Sequence, residues 1–422
     1  MDYYKIKGGK KLSGEVRISG AKNAALPIIV ASLLADGETV LKNVPDLMDI
    51  RTIIKVIEYL GAETEFDSEK NILKIKVNNI KNGEMPYELV KTMRASVYVM
   101  GPLLARLGEA DVSLPGGCAI GERPVDIHLA GFEAMGVKID LDHGNIKARA
   151  AKLTPANFTM RQISVGATAN LMMGSVLTQG KTVLENCALE PDIVDLGLFL
   201  NKMGAKINGL GTERITIEGV KKLTPVTYSI MPDRIEAGTF LLAGAITKGD
   251  VKLTNCVPEH IESLIDLLTE SGYLIESGKD SVRITPGKEQ KGFMVKTLPY
   301  PGFPTDLQAP LMSLATTIPG ISVIIETIFE NRYTHVGELR RLGADISIEG
   351  NVAVIKGGKK LTSAPIMMSD LRAGASLVVA ALAAKGFTEI RRIYHSDRGY
   401  EKLTDKLSAL GADIKRVKGG TF

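Results

Sequence analysis

The 422-residue sequence has no tryptophan and only 5% aromatic residues, which argues against stacking platforms for single-stranded nucleic acid. Its net charge is only +4, too little for a broad phosphate-backbone footprint. The basic clusters at 7–11 and 356–360 are interrupted by glycine pairs and read as solvated turns. Three cysteines do not make a disulfide framework, and a reducing compartment is expected. Five histidines are scattered without HxxxH or CxxC pairing, so no metal site is expected. Residues 1–20 are polar and basic and lack the apolar stretch of a signal peptide. The longest apolar runs, such as 26–35, fall short of the roughly 20 residues that span a bilayer. These absences predict a cytoplasmic protein without cofactor, nucleic-acid partner or membrane association.

What is present is a globular composition, 45% hydrophobic and 24% charged, in a chain too long for one hydrophobic core. The chain also repeats itself. Helical patterns ending in glycine plus a small or apolar residue recur as IIKVIEYLGA, IHLAGFEAMGV, VDLGLFLNKMGA, IESLIDLLTESGY, VGELRRLGA and YEKLTDKLSALGA. The terminal glycine marks a helix end, and each is followed by a short strand pattern such as ETEFD, KIDLD or DISIE. Upstream of each lies a second apolar helix, a glycine turn and a strand, as in NAALPIIVASLLADGETVLKNV. The unit is about 70 residues long, and repetition of this kind sets the architecture. Six copies fit, three to a domain.

The heptapeptide IKGGKKL occurs at 6–12 and again at 355–361, after a hairpin strand of the fifth repeat. The sixth repeat stops short of such a partner, so residues 1–20 are read as its missing strands. The expected domains are 21–231, and 1–20 plus 232–422. The chain would cross between them twice, an arrangement suited to hinge closure on a ligand.

Helix N-termini carry partial positive charge and free N–H donors. The first helices of the six units begin at Lys22, Arg94, Gly166, Arg234, Asp306 and Arg372, and the second near Arg51, Arg123, Asp192, Glu259, Arg332 and Arg398. Cations at helix starts oppose the dipole. Their recurrence at related positions points to a polyanionic ligand, because arginine clamps carboxylate and phosphate bidentately. The competing reading pairs each with a neighbouring carboxylate, Arg51 with Asp49 or Arg398 with Asp397. Asp306, a carboxylate among these cations, is either a base toward a hydroxyl or a plain helix cap. The stretch LPGGCAIGERPVDIH at 114–128 places Cys118 on a glycine-flexible loop near Arg123, where a thiol gains reactivity. Cys187 and Cys256 occupy matching positions in successive repeats without such neighbours, and are read as small core residues.

The motifs KNAALP, PGGCAIGERPVDIH, SVGATAN, EPDIVD, PDRIEAGTF, FPTDLQAP, ENRYTHVGEL, DLRAGASLV and HSDRGYEK resemble those of the enolpyruvyl transferase family, from residue 6 to about residue 418. Within it they resemble the branch that acts on UDP-N-acetylglucosamine. The PGGC loop discriminates this branch from the EPSP synthases, which share the fold and the donor. The resemblance implies an α/β fold of two inside-out barrels, EPSP synthase-like, with six βαβαββ repeats and the active site in the cleft between the domains. It implies transfer of the enolpyruvyl group of phosphoenolpyruvate to the 3-hydroxyl of UDP-N-acetylglucosamine, releasing phosphate, the first committed step of peptidoglycan synthesis. Both partners are small molecules, and fosfomycin is the family's inhibitor.

By the same resemblance Lys22, Arg123 and Arg398 hold the phosphate, with Arg332 and Arg372 near the donor's carboxylate. Cys118 is the general acid, with covalent capture the open alternative, and Asp306 accepts the hydroxyl proton. Asn23 bonds the substrate hydroxyl or the intermediate, and Asp370 is a further active-site carboxylate. The nucleotide sugar is expected on Arg94, Arg123, Pro124, Val125, Asp126, Ile127, Ser164, Val165 and Gly166, with Ile328 flanking the sugar. Some family members have lysine where Gln162 stands, which leaves open whether Arg161 serves the diphosphate. His128 is read as structural or close to the nucleotide.

Overall fold

The computed structural model describes residues 2–81, 84–85, 94–113 and 125–419; of 84–85 and 94–96 it describes the backbone alone. The helices are of two kinds. Lys22–Ala31, Met100–Leu107, Val165–Ser175, Arg234–Ile246, Thr305–Thr317 and Leu371–Ala383 are buried along most of their length. A helix with so little polar face must lie inside a core. Their starts are capped where the sequence supplies an oxygen. Asp233 Oδ1 accepts from the amides of Ile235 and Glu236 at 2.8 and 3.0 Å, and Ser164 Oγ from Ala167 at 3.2 Å. The second kind is shorter or amphipathic: Met48–Tyr59, Asp126–Ala134, Pro191–Lys202, Glu262–Glu270, Val336–Arg341 and Leu403–Ala409. Each is followed by a glycine at φ between 85° and 104°, namely Gly61, Gly136, Gly204, Gly272, Gly343 and Gly411. These are the glycines that the sequence pattern marks as helix ends, and each leads into a strand.

The described strands form six four-stranded sheets of one common order. Each holds three antiparallel strands and, at one edge, a parallel strand handed on from the preceding stretch of chain. Thus Asn157–Thr159 pairs in parallel with Lys181–Glu185, and Pro365–Met367 with Phe387–Arg391. The hand-on is cyclic: Thr227–Ser229 returns to pair with Gly37–Lys42, Thr227 opposite Val40.

The N-terminal strands follow the same rule. Tyr3–Lys7 lies between Phe387–Arg391 and Asp413–Val417 as the missing strand of the last sheet. The sequence reading puts all of residues 1–20 with that repeat, but Ser13–Arg17 pairs in parallel with Asp250–Thr254 in another sheet. It is the hand-on strand that opens the fourth sheet. The repeated heptapeptide makes this turn. A Cβ on Gly8 would lie 2.2 Å from the Ala384 carbonyl oxygen, and one on Gly357 would lie 2.0 Å from that of Ile318. Each glycine therefore lets the chain run against the C-terminal end of a buried helix.

The chain divides into two compact units, a first of residues 20–231 as far as they are described, and a second of residues 2–19 with 232–419. Each has its own hydrophobic core. Each also ties its own crossing strands together. The Asp233 amide donates to Ser19 O at 2.8 Å in one unit, and the Ala21 amide to Met231 O at 2.7 Å in the other. Among the described residues no helix is long and apolar enough to cross a membrane, and no group of three or more His, Cys, Asp or Glu is placed to hold a metal ion.

Candidate active site

A charged cluster lies in the second unit, at the start of helix Thr305–Thr317. Asp306 stands in its first turn. Its Oδ1 accepts from Arg332 Nη2 at 2.6 Å and its Oδ2 from Arg372 Nη2 at 2.8 Å. The arginine side chains are only 3% and 7% exposed, whereas Asp306 is 25% exposed. Two buried guanidiniums thus share one carboxylate, and water reaches the group from the Asp306 side. Burial opposes the charge of Arg372, but Asp306, Tyr400 and Asp233 together outweigh it and keep the guanidinium charged. Arg372 Nη1 also donates to Tyr400 Oη at 3.3 Å, and Tyr400 shares a 3.0 Å hydrogen bond with Thr239. Arg332 Nε is buried without a hydrogen-bond partner, and its guanidinium stacks 5.2 Å from the Phe329 ring.

Asp370 caps helix Leu371–Ala383, its Oδ1 accepting from the amides of Arg372 and Ala373 at 2.9 and 3.0 Å. Its Oδ2 accepts from Thr334 and Ser369, both at 3.1 Å. Burial alone would raise its pKa. The Ala373 amide, the charge of Arg332 and the two hydroxyls outweigh it and hold the carboxyl below its ordinary value. Arg398 closes the 3-10 turn Ile393–Arg398. A Cβ on the next residue, Gly399, would lie 2.6 Å from Leu371 Cδ2, so this turn runs close against the start of the Asp370-capped helix. His335 lies fully buried beside these groups, its pKa pushed by desolvation down to about 4.

The structure corrects two details of the sequence reading. Arg332 and Arg398 do not begin helices: Arg332 lies in the turn ahead of Val336–Arg341, and Arg398 ends a turn. Nor do the neighbour pairings form. Arg51 bonds Asp46 through Nε and Nη2 at 2.6 and 2.8 Å, and Asp397 bonds Arg416 at 2.8 Å. Asp49 instead receives Lys22 Nζ at 3.1 Å, both side chains being buried. Lys22 opens helix Lys22–Ala31, and Asn23 beside it is exposed.

In the first unit, Val125, Asp126 and Ile127 stand at the start of helix Asp126–Ala134, while Ser164, Val165 and Gly166 stand at the start of Val165–Ser175. The two starts meet through His128. A Cβ on Gly166 would lie 3.0 Å from His128 Nε2. Asn170 Oδ1 accepts from the Gly101 amide at 2.7 Å, so its NH2 donates to Val97 O at 2.9 Å and faces His128 Nδ1 at 3.1 Å. His128 Nδ1 is thereby the acceptor, and the ring proton sits on Nε2. Burial pushes the His128 pKa down to about 4, so the ring is neutral. Arg161 pairs with Asp126, and both are exposed enough to meet a ligand. Arg94 opens the 3-10 turn Arg94–Val99. Its side chain, like Cys118, Arg123 and Pro124, lies outside the described residues. Cys187 and Cys256 are buried, and desolvation pushes both thiols up to about 11.

A model of the EPSP synthase (3-phosphoshikimate 1-carboxyvinyltransferase) family matches residues 6–407. The UDP-N-acetylglucosamine 1-carboxyvinyltransferase of Geobacter metallireducens is 54% identical over 418 residues, covering 99% of this chain and 100% of that protein. The chain belongs to the UDP-N-acetylglucosamine 1-carboxyvinyltransferase family. The Myxococcus xanthus member is 52% identical over 419 residues, again 99% of this chain and 100% of that one. Among solved structures, the enolpyruvyl transferase NikO of Streptomyces tendae superposes with a TM-score of 0.89 at 26% identity, over 99% of each chain. EPSP synthase of Acinetobacter baumannii superposes with a TM-score of 0.78 at 17% identity over 99% of this chain and 100% of that one, which speaks to the fold alone. The structure brings forward two groups to which the sequence reading gives no role, Tyr400 inside the motif HSDRGYEK and Glu326 outside every motif. Tyr400 braces Arg372, and Glu326 lies buried behind Asp306 and Ile328. The only local signal for Glu326 is a carboxylate directly after the apolar strand Ile321–Ile325.

Proposed function

We infer that this protein transfers the enolpyruvyl group of phosphoenolpyruvate to the 3-hydroxyl of UDP-N-acetylglucosamine and releases phosphate. This is the first committed step of peptidoglycan synthesis. The observation that carries the chemistry is the Asp306 carboxylate held between the buried guanidiniums of Arg332 and Arg372. The guanidiniums meet at a point that solvent reaches, as an anion site requires, and the cluster contains a carboxylate that can take a proton.

In the addition step Cys118 protonates the vinyl carbon C3, and the sugar oxygen attacks C2 as its proton passes to Asp306. Both Asp306 oxygens accept from arginine. A substrate carboxylate that recruits the same arginines frees an oxygen of Asp306 for that proton, so donor binding and base activation are linked. The resulting ketal loses phosphate and a methyl proton to give the enol ether. Lys22, Arg123 and Arg398 stabilise charge on the leaving phosphate, while Asn23 bonds the reacting oxygen and Asp370 orders the helix start that carries Arg372. Arg94 and the residues 123–127 and 164–166 hold the nucleotide, and Ile328 flanks the sugar. The exposed ion pair of Arg161 and Asp126 supports a diphosphate contact from Arg161.

The cyclic hand-on of strands around buried helices supports two inside-out α/β barrels of three βαβαββ units each, with domain boundaries at 21–231 and 1–20 plus 232–422. We assign the protein to the cytoplasm, with these two small molecules as its substrates. Phosphate release assayed with phosphoenolpyruvate and either UDP-N-acetylglucosamine or shikimate 3-phosphate tests the reading. Turnover is expected with the nucleotide sugar alone; turnover with shikimate 3-phosphate overturns it.

A further inference from the structure

We propose that Glu326 is a positioning residue for the acceptor side of the site, a reading that rests on the roles of Asp306 and Ile328 given above. Glu326 is only 2% exposed and follows directly on the strand Ile321–Ile325. A carboxylate in that setting is costly unless its oxygens are filled, and here they are filled by the parts of the site that must be placed. Oε2 accepts from the Thr305 hydroxyl at 2.8 Å. Thr305 is the first residue of the helix that presents Asp306. Oε1 accepts from the Ile328 amide at 2.8 Å, the Phe329 amide at 3.2 Å and the Thr297 hydroxyl at 2.9 Å. Thr297 Oγ1 in turn accepts from the Thr327 amide at 2.9 Å.

One buried side chain therefore sets three things. It fixes the start of the Asp306 helix through Thr305. It fixes the backbone of Ile328, whose side chain remains 37% exposed. It fixes Phe329, whose ring lies under the Arg332 guanidinium. The two oxygens divide this work: Oε2 serves the proton acceptor, and Oε1 serves the segment that flanks the sugar. The division makes different substitutions separable. Glutamine keeps one oxygen for the Oε1 partners but presents an NH2 to Thr305, which must reverse its hydroxyl. Valine at 305 is close to threonine in shape and removes the Thr305 link alone.

The test is steady-state phosphate release by the full chain with UDP-N-acetylglucosamine and phosphoenolpyruvate, each varied, for wild type, Glu326→Ala, Glu326→Gln and Thr305→Val, with thermal midpoints measured in parallel. Misplacement of reacting groups by about 1 Å costs up to roughly 100-fold. On that scale Glu326→Ala is expected to lose about 100-fold in kcat/KM for the nucleotide sugar, with a raised KM as well as a lowered kcat, and Glu326→Gln to recover to within about tenfold of wild type. Thr305→Val is expected to lower kcat about tenfold while leaving the nucleotide-sugar KM within about threefold. Glu326→Ala within about twofold of wild type in both parameters overturns the proposal, as does a Glu326→Gln protein no better than alanine. If Glu326→Ala does not fold, Thr305→Val decides alone, and an unchanged kcat overturns the proposal. A wild-type chain that releases no phosphate with UDP-N-acetylglucosamine defeats the functional reading itself, a result the variants cannot mimic.

Discussion

Replacing Asp306 with asparagine should destabilise the second unit and make it depend on added anion. Asp306 is the shared partner of two guanidiniums that are only 3% and 7% exposed. Breaking a buried ion pair from one side costs about 3–5 kcal/mol, because the remaining charge stays buried. Two features reduce that figure here. The asparagine carbonyl can still accept from one arginine, and the site of Asp306 is 25% exposed, so water reaches the orphaned nitrogens. Tyr400 is a weak substitute for the lost carboxylate, since its contact with Arg372 is 3.3 Å long and comes from a neutral oxygen. A net loss of about 2–3 kcal/mol follows. In a unit of roughly 200 residues each kcal/mol moves the midpoint by about 2–4 °C, so a fall of about 5–10 °C is expected. Inorganic phosphate should then raise the midpoint of Asp306→Asn more than that of wild type, because the variant cluster carries about one more uncompensated positive charge. Differential scanning fluorimetry across a phosphate series measures both effects. A midpoint equal to or above wild type, or equal phosphate responses in the two proteins, would refute the view that Asp306 is held as the counter-ion of an anion site. Turnover should fall by about 100-fold or more, the scale of a general base.

Other expectations can be checked independently. His128 is held neutral with its pKa down at about 4 against an ordinary 6.5, so the unfolded chain binds the extra proton first. Its contribution is complete above pH 6.5 and is lost as pH falls toward 4, by about 3 kcal/mol. The stability advantage of wild type over His128→Gln should shrink by that amount over this window in urea titrations, and a pH-independent difference would exclude the assignment. Cys187 and Cys256 are buried, with thiols pushed up to about 11. Intact-mass analysis of the native protein with fosfomycin should therefore show one adduct, at Cys118, and an adduct on Cys187 or Cys256 would overturn the site assignment. Gly166→Ala places a Cβ 3.0 Å from His128 Nε2. It should cost about 1–3 kcal/mol by overpacking and raise the KM for the nucleotide sugar with little change for phosphoenolpyruvate; an equal effect on both substrates would argue against a nucleotide site there.

Much of the fold is legible in the chain because its signals are local. A glycine at the end of each amphipathic helix is required by a left-handed backbone, and Gly61, Gly136, Gly204, Gly272, Gly343 and Gly411 all adopt it. The strands that follow show their two-residue alternation regardless of what they pair with. The cations at helix starts are readable in part: Lys22, Arg234 and Arg372 stand in first turns, whereas Arg332 and Arg398 lie in turns outside the helices.

Pairing across the fold is a different matter. Arg51 and Asp49 sit two residues apart in one helix, where side chains do not face each other. Asp49 therefore meets Lys22 of another helix, and Arg51 reaches back to Asp46. Likewise Asp397 turns from Arg398 to Arg416 on the last strand. Residues 1–20 look like one block in sequence, yet Tyr3–Lys7 and Ser13–Arg17 enter different sheets, because each hairpin passes its next strand to the neighbouring sheet. Glu326 is the extreme case: no motif marks it, and its importance arises only when Thr305, Ile328 and Phe329 converge on its two oxygens. The sequence by itself determined the repeat, the helix ends and the charged residue types offered to a ligand. Tertiary structure decided which carboxylate each cation holds and what holds Asp306 in place, because a buried charge takes the partner that packing supplies, however distant in sequence.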